Sequence, residues 1–324
     1  MATKDQILSL LLSCRGSFLS GEELAKSMGV SRAAVWKGVR ALREAGYEIE
    51  AQSNRGYRLK SGMDILSAQG VRGLLDGDSP LRLELRPQVT STNAVLREQA
   101  ALGAPEGTVL LATSQSQGRG RLGRSFFSPA DTGVYLSILL RPDYREPAQA
   151  AGLTTMAALA ACQAVSELSG REAGIKWVND VFLDGKKVSG ILTEASFSLE
   201  DGRPEYVVLG AGFNLYAPAE GFPEDIAASA GAILDTPREG GKNQLAAAFL
   251  NRFWSVYREP GDYVDAYRAR SLVLGKPIWV SAPEGQREAQ ALGLDDQCGL
   301  LVEYPDGTRQ TLKAGEVRIR EKKG

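Results

Sequence analysis

A chain of 324 residues, 43% hydrophobic and 24% charged, is long enough for two or three domains, and its formal net charge of −1 is near zero but unevenly spread. The histidine count is zero, which removes Ser-His-Asp and Cys-His triads and nearly every histidine-ligated metal site. No apolar run reaches bilayer-spanning length, no basic start leads into a hydrophobic signal, and Cys14, Cys162 and Cys298 stand apart in apolar surroundings, so the sequence predicts a cytoplasmic protein with core thiols, no membrane partner and no thiolate metal site. Chemistry must then run on Lys, Arg, Asp or substrate groups, and reactions that position phosphates electrostatically, with a loosely held Mg²⁺, pass this filter.

Residues 1–62 hold ten Lys or Arg against six Asp or Glu, a net +4, which leaves −5 for the remainder. Ile7, Leu8, Leu11 and Leu12 fall at helical spacing, and Ser20 with Glu23 forms a capping box that opens a second helix through Leu24, Ala25 and Met28. Gly29 ends it, and Ser31 caps a third helix whose buried stripe is Val35, Val39 and Leu42, with Arg32, Ala33, Trp36, Lys37 and Arg40 outward. Tyr47, Ile49 and Ala51 alternate before a Ser-Asn-Arg-Gly turn and Tyr57 and Leu59, the pattern of a β-hairpin wing. The pattern predicts a winged helix-turn-helix. Its third helix would enter the major groove, with Arg32, Lys37 and Arg40 near phosphates or base edges and Arg55 near the backbone. The same module can serve protein contacts; the local positive charge favours DNA.

Ser61 to Asp64 reads as a linker, followed by an amphipathic segment from Ile65 to Leu75. Strands are predicted at Leu81–Leu85, Thr108–Ala112, Val134–Leu140, Ile175–Trp177, Val181–Leu183, Lys187–Thr193 and Tyr206–Gly212, and helices at Asn93–Leu102, Ala148–Leu168 and Leu245–Tyr257. Many strands with few helices argue for an α+β mixed sheet. Ser91, Thr92 and Asn93 stand at a strand-to-helix junction, where helix capping explains such residues as well as ligand binding does.

The most informative segment is Gln117 to Pro129, where Gly118, Gly120 and Gly123 alternate with Arg119, Arg121 and Arg124. The glycines oppose a helix and admit close backbone approach, while the guanidinium forks match phosphate and carboxylate. An RGG-like nucleic-acid segment has similar composition, but this one lies between apolar strands, which predicts a ligand-cradling loop in a folded domain. Further along, an Asp184-Gly185 two-residue turn would pair Lys187 with Phe182 and Asp180 with Ser189, leaving Lys187 diagonal to Asp180 at about 7 Å. Gly190 then opens room against the sheet, while the glycine-flanked strand end Gly210-Ala211-Gly212-Phe213-Asn214 is unspecific by itself. Neither a P-loop nor a dinucleotide fingerprint is present.

Taken in order, Ser91-Thr92-Asn93, Gln115, Gly118 to Arg124, Lys176-Trp177-x-Asn179-Asp180, Lys187-x-x-Gly190-Ile191-Leu192 and Gly210-x-Gly212-x-Asn214 resemble the bacterial bifunctional biotin protein ligase and biotin operon repressor family. The helix Ser31 to Lys37 and the wing turn Arg55-Gly56-Tyr57 resemble its DNA-binding domain, so the likeness spans almost the whole chain. The resemblance implies a winged helix over 1–62, a catalytic domain similar to class II aminoacyl-tRNA synthetases over 64–271, and an SH3-like β-barrel over 272–324. Strands at Ile278–Val280, Leu300–Tyr304, Gln310–Lys313 and Glu316–Arg320, with a Pro305-to-Gly307 turn, suit the last. It also implies activation of biotin with ATP and Mg²⁺ to biotinyl-5′-adenylate and transfer to a lysine of a biotin carboxyl carrier protein. A homodimer of the adenylate-bound form would bind operator DNA.

By matched motif, Ser91, Thr92, Asn93, Gln115, Arg119, Gly120, Arg121, Lys187 and Gly190 would hold biotin; Arg121, Arg124, Phe126, Lys176, Asn179 and Asn214 would face the nucleotide. Arg121 and Lys187 would neutralise the charge that develops as carboxylate meets α-phosphate, and Asp180 would either accept the acceptor lysine's proton or hold Lys187. Leu122, Phe126 and Val178 depart from the family's usual arginine, tryptophan and proline. Two rival readings are a ligand-sensing regulator without catalysis, against which Lys187 and Arg121 weigh, and a lipoate ligase, which lacks the arginine loop and the N-terminal domain.

Overall fold

The computed structural model describes residues 3–14, 16–44, 46–142, 147–198, 204–282, 285–313 and 315–319. The chain packs as two units, Met1–Ser79 with Thr236–Ala247, and Pro80–Asp235 with Ala248–Gly324.

In the first unit, Ile7, Leu8 and Leu11 give α1 (Thr3–Ser13) a buried face, while Leu12 sits partly buried at the margin of the same cluster. The capping box of α2 (Gly21–Met28) is formed: Glu23 N donates to Ser20 Oγ at 3.1 Å and Ser20 N to Glu23 Oε2 at 2.7 Å. Gly29 closes that helix with φ +66°, a left-handed cap that a glycine adopts without strain. In α3 (Arg32–Glu44), Ser31 Oγ accepts from Ala34 N at 3.2 Å, and Val35, Val39 and Leu42 are buried. Gly38 joins them because a Cβ there would overlap the Ile7 side chain, so it lets α1 and α3 approach closely. Strands β1 (Ile49–Gln52) and β2 (Gly56–Leu59) pair antiparallel from Ile49↔Leu59 to Gln52↔Gly56. The segment from Ile65 to Leu75 is helical only over α4 (Ala68–Arg72). Gly70 within it and Gly73 at its end lower helix propensity, which limits the element to little more than a turn.

The second unit is built on a seven-stranded sheet of β3 (Arg82–Val89), β4 (Thr108–Gln115), β5 (Gly133–Leu140), β6 (Gly174–Lys176), β7 (Asp180–Leu183), β8 (Lys186–Phe197) and β9 (Pro204–Asn214), in the order β3-β4-β5-β9-β8-β7-β6. Only β3 and β4 run parallel; the other neighbours are antiparallel, which makes the sheet mixed. All eight residues of β5 are buried, as expected of a central strand covered on both faces. Helix α5 (Thr92–Ala101) packs on β4, β5 and β9, and α6 (Pro147–Ser169) packs on β6 to β9. Shorter helices α7 (Glu224–Ala227) and α9 (Tyr263–Ala269) flank α8 (Gly241–Arg258), whose first residues belong to the first unit. Phe213 of β9 meets Phe249 edge-on at 5.4 Å, and Phe249 stacks on Phe253 at 6.0 Å, which ties β9 to α8.

The C-terminal sheet contains β10 (Pro277–Ala282), β11 (Gly285–Leu294), β12 (Leu300–Glu303), β13 (Arg309–Leu312) and β14 (Val317–Ile319), in the order β13-β12-β11-β10-β14. Among the described residues β13 and β14 remain edge strands, so this β domain is an open antiparallel sheet rather than the expected closed barrel. The final expected strand spans Val317–Ile319, and Arg320 lies outside the described residues. Among the described residues no helix is long and apolar enough to cross a membrane.

Candidate active site

The glycine and arginine segment folds back on itself as a short hairpin. Phe126 N donates to Gly118 O at 2.9 Å and Gly120 N to Arg124 O at 2.7 Å, and a single 3₁₀ turn, Arg121–Gly123, forms the tip. The glycines were expected to keep the segment free of helix; this one turn exists because Leu122 (φ 56°) and Gly123 (φ 74°) both take left-handed conformations. Leu122 is 74% exposed at the tip. At Gly118 a side chain cannot fit, since a Cβ would overlap Phe126 O and come within 2.6 Å of Ser128 Oγ.

Beneath the tip lies a cleft of about 680 Å³, its open mouth included, lined by Arg119, Arg121, Arg124, Lys176 and Lys187 and by two carboxylates, Asp180 and Glu316. Five cations against two anions leave a net +3, a site suited to polyphosphate. Arg121 Nη1 donates to Asn179 Oδ1 at 2.8 Å, Asn179 Nδ2 donates to Asp180 Oδ1 at 3.0 Å, and Asp180 Oδ1 meets Lys187 Nζ at 2.7 Å. The turn carrying Lys176 to Asp180 is anchored from elsewhere: Trp177 Nε1 donates to Cys298 O at 2.9 Å and Tyr267 Oη to Val178 O at 3.1 Å. Burial pushes the Lys176 ammonium below its ordinary range, against the opposing pull of Asp180 and Glu316. Arg124 is held across the cleft by both oxygens of Glu316, at 2.9 and 2.6 Å.

The hairpin register differs from the sequence expectation. Lys187 does pair with Phe182, but Asp180 pairs with Gly190 and Val181 with Ser189, because a bulge between the two pairs makes Val188 the extra residue. The space over Gly190 is therefore shared by protein groups as well: a Cβ there would lie 3.3 Å from Lys187 Nζ and 3.5 Å from the Phe126 ring.

A second cavity of about 300 Å³ adjoins the cleft and shares Arg119, Phe126, Gly190 and Leu192 with it. Its floor is polar and buried: Ser91, Thr92 and Asn93 are each under 5% exposed. Gln115 Oε1 accepts from Thr92 N at 2.8 Å, which fixes the amide and turns Gln115 Nε2 toward Ser128 Oγ at 2.9 Å. Asn93 Nδ2 donates to Glu194 Oε2 at 2.8 Å, while Ser137 Oγ lies 2.6 Å from Asn93 Oδ1 and 2.8 Å from Thr92 Oγ1. Gly210 is required beneath this network because a Cβ would overlap Asn93 Oδ1, and Gly212 because a Cβ would lie 2.5 Å from the Phe126 ring.

Three family models match the chain: residues 3–58 match an HTH domain, 85–214 the biotin/lipoate A/B protein ligase family, and 273–320 the biotin protein ligase C-terminal domain. The bifunctional ligase/repressor BirA of Bacillus subtilis (strain 168) is 33% identical over 319 residues, covering 96% of this chain and 97% of that protein. The chain belongs to the bifunctional biotin protein ligase and repressor family. The BirA of Escherichia coli K12 is 29% identical over 96% of both chains. Among solved structures, the biotin protein ligase of Aquifex aeolicus in complex with biotin and ATP matches with a TM-score of 0.61 and 25% identity, covering 74% of this chain and 99% of that one.

Within this ligase/repressor family member, the structure gathers the sequence-derived positions unevenly. Ser91, Thr92, Asn93 and Gln115 line the smaller cavity, Gly120, Arg121, Arg124, Lys176, Asn179, Asp180 and Lys187 the larger, and Arg119, Phe126 and Gly190 both. Asn214 lines neither; it ends β9, paired with Gly133. Sequence reasoning missed Ser137 and Glu316. Ser137 had a signal, as the one aliphatic hydroxyl inside the apolar run of β5; Glu316 had none, since it arrives from just before β14, 192 residues away from Arg124. On α3, Arg32, Trp36, Lys37 and Arg40 are all exposed, and Arg40 Nε pairs with Glu44 at 2.9 Å while its Cζ lies 5.9 Å from the Trp36 ring centroid. Arg55 is exposed at the wing turn.

Proposed function

We propose that the protein couples biotin to ATP, giving biotinyl-5′-AMP and pyrophosphate, transfers the biotinyl group to a lysine of a biotin carboxyl carrier protein, and represses biotin synthesis or uptake genes when loaded with the adenylate. The observation that carries the reading is a buried neutral-polar cavity opening into a cationic cleft, with Arg119 and Phe126 belonging to both. An acyl-adenylate has that same division, a neutral ring system at one end and a phosphate at the other.

In this assignment Ser91, Thr92, Asn93, Gln115, Arg119, Gly120, Arg121, Lys187 and Gly190 hold biotin, and Arg121, Arg124, Phe126, Lys176 and Asn179 face the nucleotide. Asn214 reaches the nucleotide only through its place at the end of β9. The carboxylate oxygen of biotin attacks the α-phosphorus and pyrophosphate leaves; Arg121 and Lys187 lower the repulsion between the two anions most where it is greatest, at the transition state. The acceptor amine then attacks the carbonyl carbon and AMP departs. At an unperturbed pKa of about 10.4 only a few lysines in ten thousand are neutral at pH 7, so a proton acceptor is required. Asp180 faces this step already bound to Lys187 and Asn179, which supports a holding role at least as well as a basic one.

Mg²⁺ would enter on the nucleotide's phosphates. Among the described residues no three acidic, Cys or His side chains form a cage, and the two carboxylates of the cleft are engaged by Lys187 and Arg124. The same reading takes 1–62 as the DNA-binding domain, with Arg32, Lys37, Arg40 and Arg55 at the duplex, 64–271 as the catalytic domain, 272–324 as the C-terminal domain, an adenylate-bound homodimer on the operator, and the cytoplasm as its place. One incubation tests the chemistry: purified protein with labelled biotin, labelled lipoate, ATP, Mg²⁺ and a carrier domain. Labelled biotinyl-adenylate and biotin on the carrier lysine are expected; lipoate transfer without biotin transfer, or no acyl-adenylate at all, refutes it.

A further inference from the structure

Two arginines of the wing share one aromatic ring. The guanidinium carbons of Arg55 and Arg58 lie 4.4 and 4.5 Å from the Phe18 centroid. Their surroundings differ. Arg58 donates to Glu50 Oε2 through Nη2 at 2.5 Å and Nε at 3.1 Å, so its charge is balanced within the protein. Arg55 Nη1 donates to Gln52 Oε1 at 3.0 Å, a neutral acceptor, and among the described residues no carboxylate pairs with it.

The ring is itself fixed to the wing. Leu19, next to Phe18, exchanges two backbone hydrogen bonds with Tyr57 at 2.9 and 2.8 Å, and Gly56 has φ +101° with its Cα pressed so close that a Cβ would overlap Leu19 O. A cation held by a ring face and an amide is oriented without being neutralised, since the ring attracts it through a quadrupole and offers no competing anion. A carboxylate in the same place would have to be displaced by any incoming phosphate.

We infer that Phe18 is a positioning residue for nucleic-acid binding: it holds the Arg55 guanidinium in place at the wing turn, so that it meets a backbone phosphate with its conformational freedom already reduced. This rests on the DNA-binding reading above. The duplex contact belongs to Arg55, and Arg58 with Glu50 forms the fixed side of the stack.

The test is a salt titration of binding to a mixed-sequence DNA duplex between about 50 and 200 mM salt, a range over which phosphate contacts are read as the slope of log K against log salt. Arg55→Ala should flatten that slope by about one unit. Phe18→Leu should weaken binding about 3-fold with the slope unchanged, and Phe18→Tyr, which keeps the ring, should bind as the wild type does. In an Arg55→Ala background Phe18→Leu should cause no additional loss, because its effect acts through Arg55. An equal loss in both backgrounds, or a Tyr variant as weak as the Leu variant, overturns the inference. Wild-type protein that binds no duplex at any salt concentration removes the DNA-binding reading itself, and this inference with it.

Discussion

Replacing Gly210 by alanine places a methyl group where Asn93 Oδ1 now sits, with Asn93 Cγ only 3.0 Å away. The amide cannot yield cheaply. It is 3% exposed, its Nδ2 donates to Glu194 at 2.8 Å and to Leu192 O at 3.3 Å, and its Oδ1 faces the single proton of Ser137. Overpacking of this kind costs about 1–3 kcal/mol, and each hydrogen bond lost by displacement adds about 1 kcal/mol, so a destabilisation of about 2–4 kcal/mol is expected. With a urea m-value of about 3 kcal/mol/M the unfolding midpoint should fall by about 1 M. Gly293→Ala supplies the control, because nothing lies within 4 Å of its Cβ position. Asn93 and Thr92 line the smaller cavity, so biotin affinity measured by calorimetry should drop at least about tenfold, the equivalent of 1.4 kcal/mol. If Gly210→Ala unfolds with the control and binds biotin normally, the amide is not pinned as described and the network does not shape the cavity.

Lys187→Met should reduce adenylate formation by orders of magnitude while changing stability by no more than about 1 kcal/mol, since the pair with Asp180 is only partly buried; normal pyrophosphate release would contradict the role given to Lys187. The Arg124 hydrogen bond holds the Glu316 carboxyl below its usual value of 4.5, so its contribution is present above about pH 4.5 and is lost as pH falls through the lower folded value. Glu316→Gln should therefore be less stable than wild type at pH 7, by no more than about 1 kcal/mol because Arg124 is 58% exposed, and the gap should close in acid; a gap independent of pH would exclude the ion pair as its source. Lys37→Glu with Arg40→Glu should abolish duplex binding and leave biotin transfer intact, and retained binding would move the interface off α3. Sedimentation of micromolar protein with saturating biotin and ATP should show a dimer, and a persistent monomer would separate regulation from ligation.

Local rules made the first unit legible. A capping box, a left-handed glycine and a heptad-like apolar stripe are read within a few residues of one another, and each of these elements is where the pattern put it. The central sheet was legible for a related reason, since Val109 to Ala112 and Val134 to Leu140 are short, β-branched-containing apolar runs of the length that a doubly covered strand accommodates. The errors arose where distance along the chain matters. The bulge at Val188 shifts Asp180 to Gly190 without any residue type announcing it, and β11, missed altogether, starts on the polar run Gly285 to Glu288 and buries only Ala289, Ala291 and Leu294. In the candidate site the cations were visible as a motif and Asp180 as the partner of Lys187, but the second anion was not: nothing near Arg124 in sequence points to Glu316.

Phe126 lines both chambers, together with Arg119, Gly190 and Leu192, and it hangs from the base of the hairpin by its own N–H bond to Gly118 O, with its ring over Gly190 and Gly212. Raising the hairpin thus cannot expose one chamber alone. The shared side wall lifts with its lintel, and both rooms lose it at once.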